Sequence, residues 1–168
     1  MLVYPNFYFN NVREIDIELL RKHNIKGLIL DVDNTLIDYD RNFEDGTIEW
    51  AKEMKQQGII LYIVSNSNKK EKVKKVAETL EIPFINFAKK PLKSGFLKAM
   101  RNMGLRNENI AAVGDQIMTD VIGANRCKMY SILVKPIAEK DILITKIKRP
   151  IENIIINSYL NKIKKEKV

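Results

Sequence analysis

Asp31 and Asp33 stand one residue apart, directly behind the apolar run Leu28, Ile29 and Leu30, in the stretch GLILDVDNTLIDYD. A strand that buries such a run gains nothing structural from charges at its end, so the two acids call for a chemical use. Three later stretches also follow short apolar runs: VSNS (Val64 to Ser67), KKP (Lys89 to Pro91) and GDQIMTD (Gly114 to Asp120). Together they supply carboxylates, a hydroxyl, an amide and a cation. Acids gathered at one place repel unless a cation joins them, and a hard divalent ion with oxygen ligands suits that role. Mg²⁺ commonly takes one or two carboxylates and completes its shell with water and substrate phosphate. A carboxylate nucleophile, a second carboxylic acid, a metal and a lysine make a workable phosphoryl-transfer set. Each piece alone is weak. Asp115 or Thr119 would serve equally as a helix N-cap, Lys90 as a surface lysine beside Pro91, and Ser65 and Asn66 as turn residues. The four in this order, each at a predicted strand end, carry the reading.

The elements between them must bring these segments to one place. KGLILD reads as a strand, and Ile48, Ala51 and Met54 predict a helix over Thr47 to Gln57, stopped by Gly58. Ile59 to Val64 reads as a strand buried on both faces. The stripe Val73, Val76, Ala77 and Leu80 predicts a helix from Asn68 to Leu80, with Asn68 and Glu71 at capping-box spacing. IPFIN is a short strand, Ser94 to Met103 a helix, IAAVG a strand, Thr119 to Arg126 a helix and YSILV a further strand. Strands alternating with helices through short connections predict an α/β fold with a mainly parallel sheet. In such sheets ligands bind beyond the carboxyl ends of the strands, where the polar segments lie. Only about ten residues, Leu36 to Asp45, separate the first polar segment from its helix, so any lid from that loop is small.

Composition excludes several classes. At 168 residues the chain has the size of one domain, and no run approaches a membrane span. The N-terminal residues lack the basic-then-apolar order of a signal peptide, which argues against secretion. Cys127, the single cysteine, has no internal partner and fits a reducing cytosol. His23 is the single histidine, which excludes a His-rich metal site and argues against a Ser-His or Cys-His pair. GxGxxG and GxxxxGK[ST] are both absent, which sets aside dinucleotide and P-loop chemistry. The net charge of +8 is concentrated after Thr145, where seven basic residues stand against Glu152 and Glu166. That suits an anionic partner or a solvated terminus equally.

With these residues assembled, the sequence resembles the haloacid-dehalogenase superfamily of phosphotransferases, from about Lys26 to Val134. DVDNT, VSN, KP and GDQIMTD are similar to its four motifs, and their finer details resemble the YqeG group, related to mitochondrial phosphatidylglycerophosphate phosphatases. The resemblance implies a three-layer Rossmann-like fold without a substantial cap domain. It implies Asp31 as nucleophile, Asp33 as acid and base, and Mg²⁺ held by Asp31, the backbone carbonyl of Asp33, and Asp115. Ser65 and the backbone at Asn66 would bind phosphoryl oxygens, Lys90 would neutralise charge, and Thr35 and Asp120 would support.

The expected division is an N-terminal aromatic segment and helix packed on the core (1–25), a phosphatase core (26–144) and a basic amphipathic C-terminal helix or tail (145–168). An open site suits a bulky substrate such as a phospholipid head group, and the relatives point to phosphatidylglycerophosphate. Ile151, Ile154, Ile155, Tyr159 and Ile163 follow a helical stripe, and with the aromatic N-terminus (Tyr4, Phe7, Tyr8, Phe9) they offer contacts for an anionic membrane or for the sheet itself. The expected location is the cytoplasm, with peripheral association at the inner face of the membrane as the membrane reading. Two alternatives stand beside this one. The first is a soluble phosphatase acting on sugar phosphates, nucleotides or phosphoproteins. The second is an RNA- or ribosome-binding protein using the basic tail, although lysine there outnumbers arginine and no interleaved aromatics favour nucleic acid. Oligomeric state is left open.

Overall fold

The computed structural model describes residues 2–138 and 143–166. Six strands form one sheet in the order β1-β6-β5-β2-β3-β4, and every neighbouring pair is parallel. They are β1 (Phe7–Phe9), β2 (Gly27–Leu30), β3 (Ile60–Val64), β4 (Phe84–Ile85), β5 (Ile110–Gly114) and β6 (Tyr130–Val134). The helices are α1 (Ile17–Lys22), α2 (Thr47–Gln56), α3 (Lys70–Leu80), α4 (Lys93–Met103), α5 (Ile122–Arg126) and α6 (Leu143–Glu166).

The period-2 alternation of the strands divides the core between two faces. Leu28 and Leu30, Leu61 and Ile63, Ala111 and Val113 pack with Trp50, Met54, Val73 and Val76 of α2 and α3. Ile29, Tyr62, Val64 and Ala112 point the other way, onto Phe96, Ala99 and Met103 of α4 and Ala124 of α5. Helices on both faces of a parallel sheet make the three-layer α/β architecture that the alternating pattern predicts. Gly123 allows α5 to approach closely, since a Cβ there would meet the Phe96 ring at 2.3 Å.

Register sets the site. Leu30 pairs with both Ile63 and Val113, so β2, β3 and β5 end at nearly the same level. The chain therefore leaves the sheet at Asp31, Ser65 and Asp115 along one edge. The loop after β2 folds back through bridges Asp33–Ile37 and Ile37–Phe43, a small flap anchored by the buried Ile37.

Four local expectations change. Phe7–Phe9, read as an aromatic segment, is an edge strand paired with β6. The Phe7 ring packs 4.9 Å from His23 and 6.2 Å from Tyr130, which engages it in the fold rather than at an outside interface. Helix α3 begins at Lys70 with no side-chain cap bond, so the Asn68 and Glu71 capping box is not formed. The helix expected from Thr119 starts earlier, as a π-helical turn over Ile117–Val121 that runs into α5. In α6 the expected stripe is rotated: Ile151 and Ile154 are exposed, while Glu152 and Tyr159 are buried and Ile155 and Ile156 pack beside Ile117, Val121 and Leu133. Of the basic residues of the tail, Lys167 and the side chains of Lys146, Lys148, Arg149 and Lys165 lie outside what is described. Among the described residues no helix is long and apolar enough to cross a membrane.

Candidate active site

Strand β2 delivers Asp31 to the rim, where its backbone N–H donates to the Val113 carbonyl at 2.9 Å. The carboxylate is buried. Lys90, from the loop between β4 and α4, reaches it: the ammonium donates to Asp31 Oδ1 at 2.7 Å and to Asp120 Oδ1 at 2.6 Å. The Lys90 side chain is only 3% exposed, and an ammonium so deeply buried persists only when paired. Lys89, its neighbour, is exposed.

Asn66 fixes the Lys90 backbone from the opposite loop. Its Oδ1 accepts from the Lys90 N–H at 2.6 Å, and its Nδ2 donates to the Lys90 carbonyl at 3.0 Å. Ser65 is buried, and its hydroxyl oxygen accepts from the Ser67 N–H at 3.1 Å. Asp120 sits on the π-helical turn with both oxygens engaged, Oδ1 by Lys90 and Oδ2 by the Gln116 N–H at 3.1 Å and the Thr119 hydroxyl at 3.4 Å. Gly114 makes room for it, because a Cβ at that position would lie 2.2 Å from Asp120 Cγ. Buried Thr35 donates its hydroxyl to Asp115 Oδ1 at 3.4 Å.

Asp31, Asp115 and Asp120 each offer an oxygen, all within 4.8 Å of one another. Asp31 and Asp120 thus share the Lys90 ammonium with Asp115 beside them, and ionising all three carboxylates leaves two negative charges over. The electrostatics follow. Burial, with Asp120 adding and Lys90 opposing, pushes the Asp31 carboxyl up to about 6. Burial and the neighbouring Asp31 and Asp120 hold Asp115 well above the usual carboxylate range. Burial alone would push Lys90 down, but Asp120 and Asp31 outweigh it and keep the ammonium charged. A divalent cation would neutralise this excess, and an all-oxygen donor set suits Mg²⁺. Because Asp120 already satisfies Lys90 and the turn, Asp31 and Asp115 are the side chains with capacity left for a metal.

Asp33 stands apart from this cluster. Its side chain is half-exposed and forms an ion pair with Lys72 of α3. Asp33, Lys69, Lys72, Arg41, Asp115 and Gln116 face one cavity of about 330 Å³ at the rim. Lys72 carried no sequence signal: it lies on a helix of alternating lysines, and only the fold brings it across to Asp33.

The sequence profile of the family described as mitochondrial PGP phosphatase matches residues 1–138. A curated relative, the probable phosphatase YqeG of Bacillus subtilis (strain 168), is 43% identical over 159 residues, covering 94% of this chain and 92% of its own. The chain belongs to this phosphatase family. As a YqeG-like phosphatase it is a phosphoric monoester hydrolase. Solved structures support the fold. An uncharacterized protein from Listeria monocytogenes serotype 4b superposes with a TM-score of 0.56 at 19% identity, over 71% of this chain and 86% of its own. A HAD phosphatase from Thermococcus onnurineus does so at 0.52 and 22% identity, over 61% of this chain and 51% of its own. In this YqeG-like phosphatase the buried Asp31–Lys90–Asp120 pairing lies at the carboxyl end of β2.

Proposed function

We propose that this phosphatase hydrolyses its substrate through an aspartyl-phosphate on Asp31, with Mg²⁺ as cofactor and phosphatidylglycerophosphate as substrate. The observation that carries the reading is the buried Lys90 ammonium bridging Asp31 and Asp120 beside Asp115. It fixes one carboxylate at the strand end and leaves an excess negative charge matched to a divalent ion.

Asp31 and Asp115, with the Asp33 carbonyl, would hold Mg²⁺, which when bound supplies positive charge against the phosphoryl oxygens and keeps Asp31 ionised. A carboxylate oxygen of Asp31 forms a bond to phosphorus as the ester oxygen departs, and Asp33, protonated and parted from Lys72 when substrate is bound, gives that oxygen its proton. Asp33, now a carboxylate, takes a proton from the incoming water, whose oxygen attacks the same phosphorus. Inorganic phosphate leaves and Asp31 is restored. Lys90, Ser65 and the backbone at Asn66 bind the non-reacting phosphoryl oxygens, and the Asn66 side chain positions Lys90. Thr35 orients Asp115, and Asp120 orients Lys90.

The relative's family supports a lipid phosphomonoester, and the absence of a large cap over the strand ends among the described residues supports a substrate presented from outside. The test is a panel of phosphatidylglycerophosphate, sugar phosphates and nucleotides, compared by kcat/KM with Mg²⁺ present. The lipid should lead the panel by at least about tenfold, a difference of about 1.4 kcal/mol in transition-state binding. A sugar phosphate or nucleotide in first place would overturn the substrate assignment.

A further inference from the structure

The loop that brings Lys90 into the site shows two large apolar side chains to solvent. Phe87 is 58% exposed and Leu92 is 50% exposed. A single exposed apolar residue is ordinary, but the backbone of this loop is not. Phe87 has φ +51°, in the left-handed region where a bulky side chain is an outlier and Asn is enriched. Leu92 occupies the N-cap position of α4 and makes no side-chain cap bond, although Ser, Thr, Asp and Asn are preferred there. At both positions the sequence forgoes the locally favoured polar residue for an exposed apolar one. Local stability accounts for neither choice.

Along the chain the charge beside them is basic, although Lys90 pairs with Asp31 and Asp120 and Arg106 with Glu108. From Ile82 to Asn107 the chain contains no acidic residue, while Lys89, Lys90, Lys93, Lys98, Arg101 and Arg106 are all within it. Of these, Lys89 stands with its ammonium 5.3 Å from the centre of the Phe87 ring, and both Lys89 and Lys93 are exposed. The Phe87 N–H donates to the Ser67 carbonyl at 2.9 Å and the Ala88 N–H to the Ser65 carbonyl at 2.9 Å. The loop is therefore braced against the segment after β3, at the rim that holds Asp31. Apolar side chains beside the exposed Lys89 and Lys93 have the chemistry of an interfacial anchor for anionic lipid.

We propose that the Phe87–Lys93 loop docks this phosphatase on an anionic bilayer. Phe87 and Leu92 enter the boundary between headgroups and acyl chains, and Lys89 and Lys93 meet the headgroups. Docking by the loop that carries Lys90 brings the site to the membrane surface. The inference goes beyond the phospholipid reading above and rests on it only for what docking accomplishes.

The test is co-sedimentation of the full chain with vesicles of phosphatidylcholine containing phosphatidylglycerol, at low and high salt. The wild type should bind at low salt, weaken with salt and bind poorly to phosphatidylcholine alone. The double variant Phe87→Asn, Leu92→Ser gives each backbone its preferred residue, so its melting temperature should equal or exceed that of the wild type. Its Mg²⁺-dependent hydrolysis of a soluble aryl phosphate should be unchanged, while its vesicle affinity falls at least about tenfold. Equal vesicle binding by this variant overturns the proposal, as does no binding by the wild type. So does loss of binding confined to Ile154→Asn on α6, or a dimer in sedimentation velocity that the double variant dissolves. Vesicle binding is read without turnover, so its failure and failure to hydrolyse phosphatidylglycerophosphate are separate results.

Discussion

Replacing Lys90 by Met keeps the length of the side chain and removes its charge. In the wild type the ammonium is 2.7 Å from Asp31 and 2.6 Å from Asp120, with those side chains 11% and 4% exposed. At an effective dielectric of about 20 each contact is worth roughly 6 kcal/mol of gross attraction, much of it offset by desolvation. The relevant quantity is the cost of leaving the partners behind. Removing one member of a buried ion pair typically costs about 3–5 kcal/mol, and here Asp31 and Asp120 both lose the ammonium they share. For a chain of this length each kcal/mol lowers Tm by about 2–4 °C, so a fall of roughly 6–20 °C is expected in metal-free buffer. Asp120→Asn should also destabilise, but the double variant should be less destabilised than the sum, with a coupling of about 1–3 kcal/mol. Thermal and urea melts of the four proteins form the cycle. A Lys90→Met variant within about 2 °C of the wild type, or singles that add within about 0.5 kcal/mol, would refute the idea that these groups form one electrostatic unit.

Two other outcomes follow from the same cluster. Gly114→Ala places a methyl 2.2 Å from Asp120 Cγ and should cost about 1–3 kcal/mol by urea melt, with turnover falling further as Asp120 is displaced from Lys90. The second concerns pH. Burial holds Asp31 at about 6 and Asp115 also above the usual range. Between about pH 4 and pH 6 the metal-free native chain thus binds more protons than the unfolded chain, and this contribution to stability falls as pH rises. A divalent cation needs the ionised carboxylates. The rise in Tm produced by Mg²⁺ should therefore be small at pH 5 and larger at pH 7.5, and equal rises at the two would contradict the assignment of Asp31 and Asp115 to the metal.

The sheet and the rim were legible because each polar segment follows an apolar run that has one structural use. IAAVG and YSILV form strands over the stretches that their apolar character marks, and Lys90 is the buried member of its lysine pair, held by Asn66, Asp31 and Asp120. What sequence pattern missed depended on contacts across the fold. Phe7–Phe9 becomes a strand because β6 offers an open edge, and three residues carry too little period to announce it. The Asn68 cap fails because the Ser65–Ser67 turn delays the helix to Lys70. Ile154 has the right spacing for a buried stripe, but α6 is oriented by Glu152, which accepts from the Met118 N–H at 3.2 Å, so that polar contact shares the inward side. Lys72 reaches Asp33 from 39 residues away, a partnership that no local pattern encodes.

The most direct test of the account is to stop a single turnover with acid and look for the phosphoryl group by mass spectrometry. The wild type should carry one acid-stable, hydroxylamine-labile phosphoryl group on the peptide containing Asp31. The Asp31→Asn protein, shown to be folded by its circular dichroism at the assay temperature, should carry none and should not turn over. Catalysis by Asp31→Asn, or wild-type turnover with the phosphoryl group on any other residue, would contradict the account.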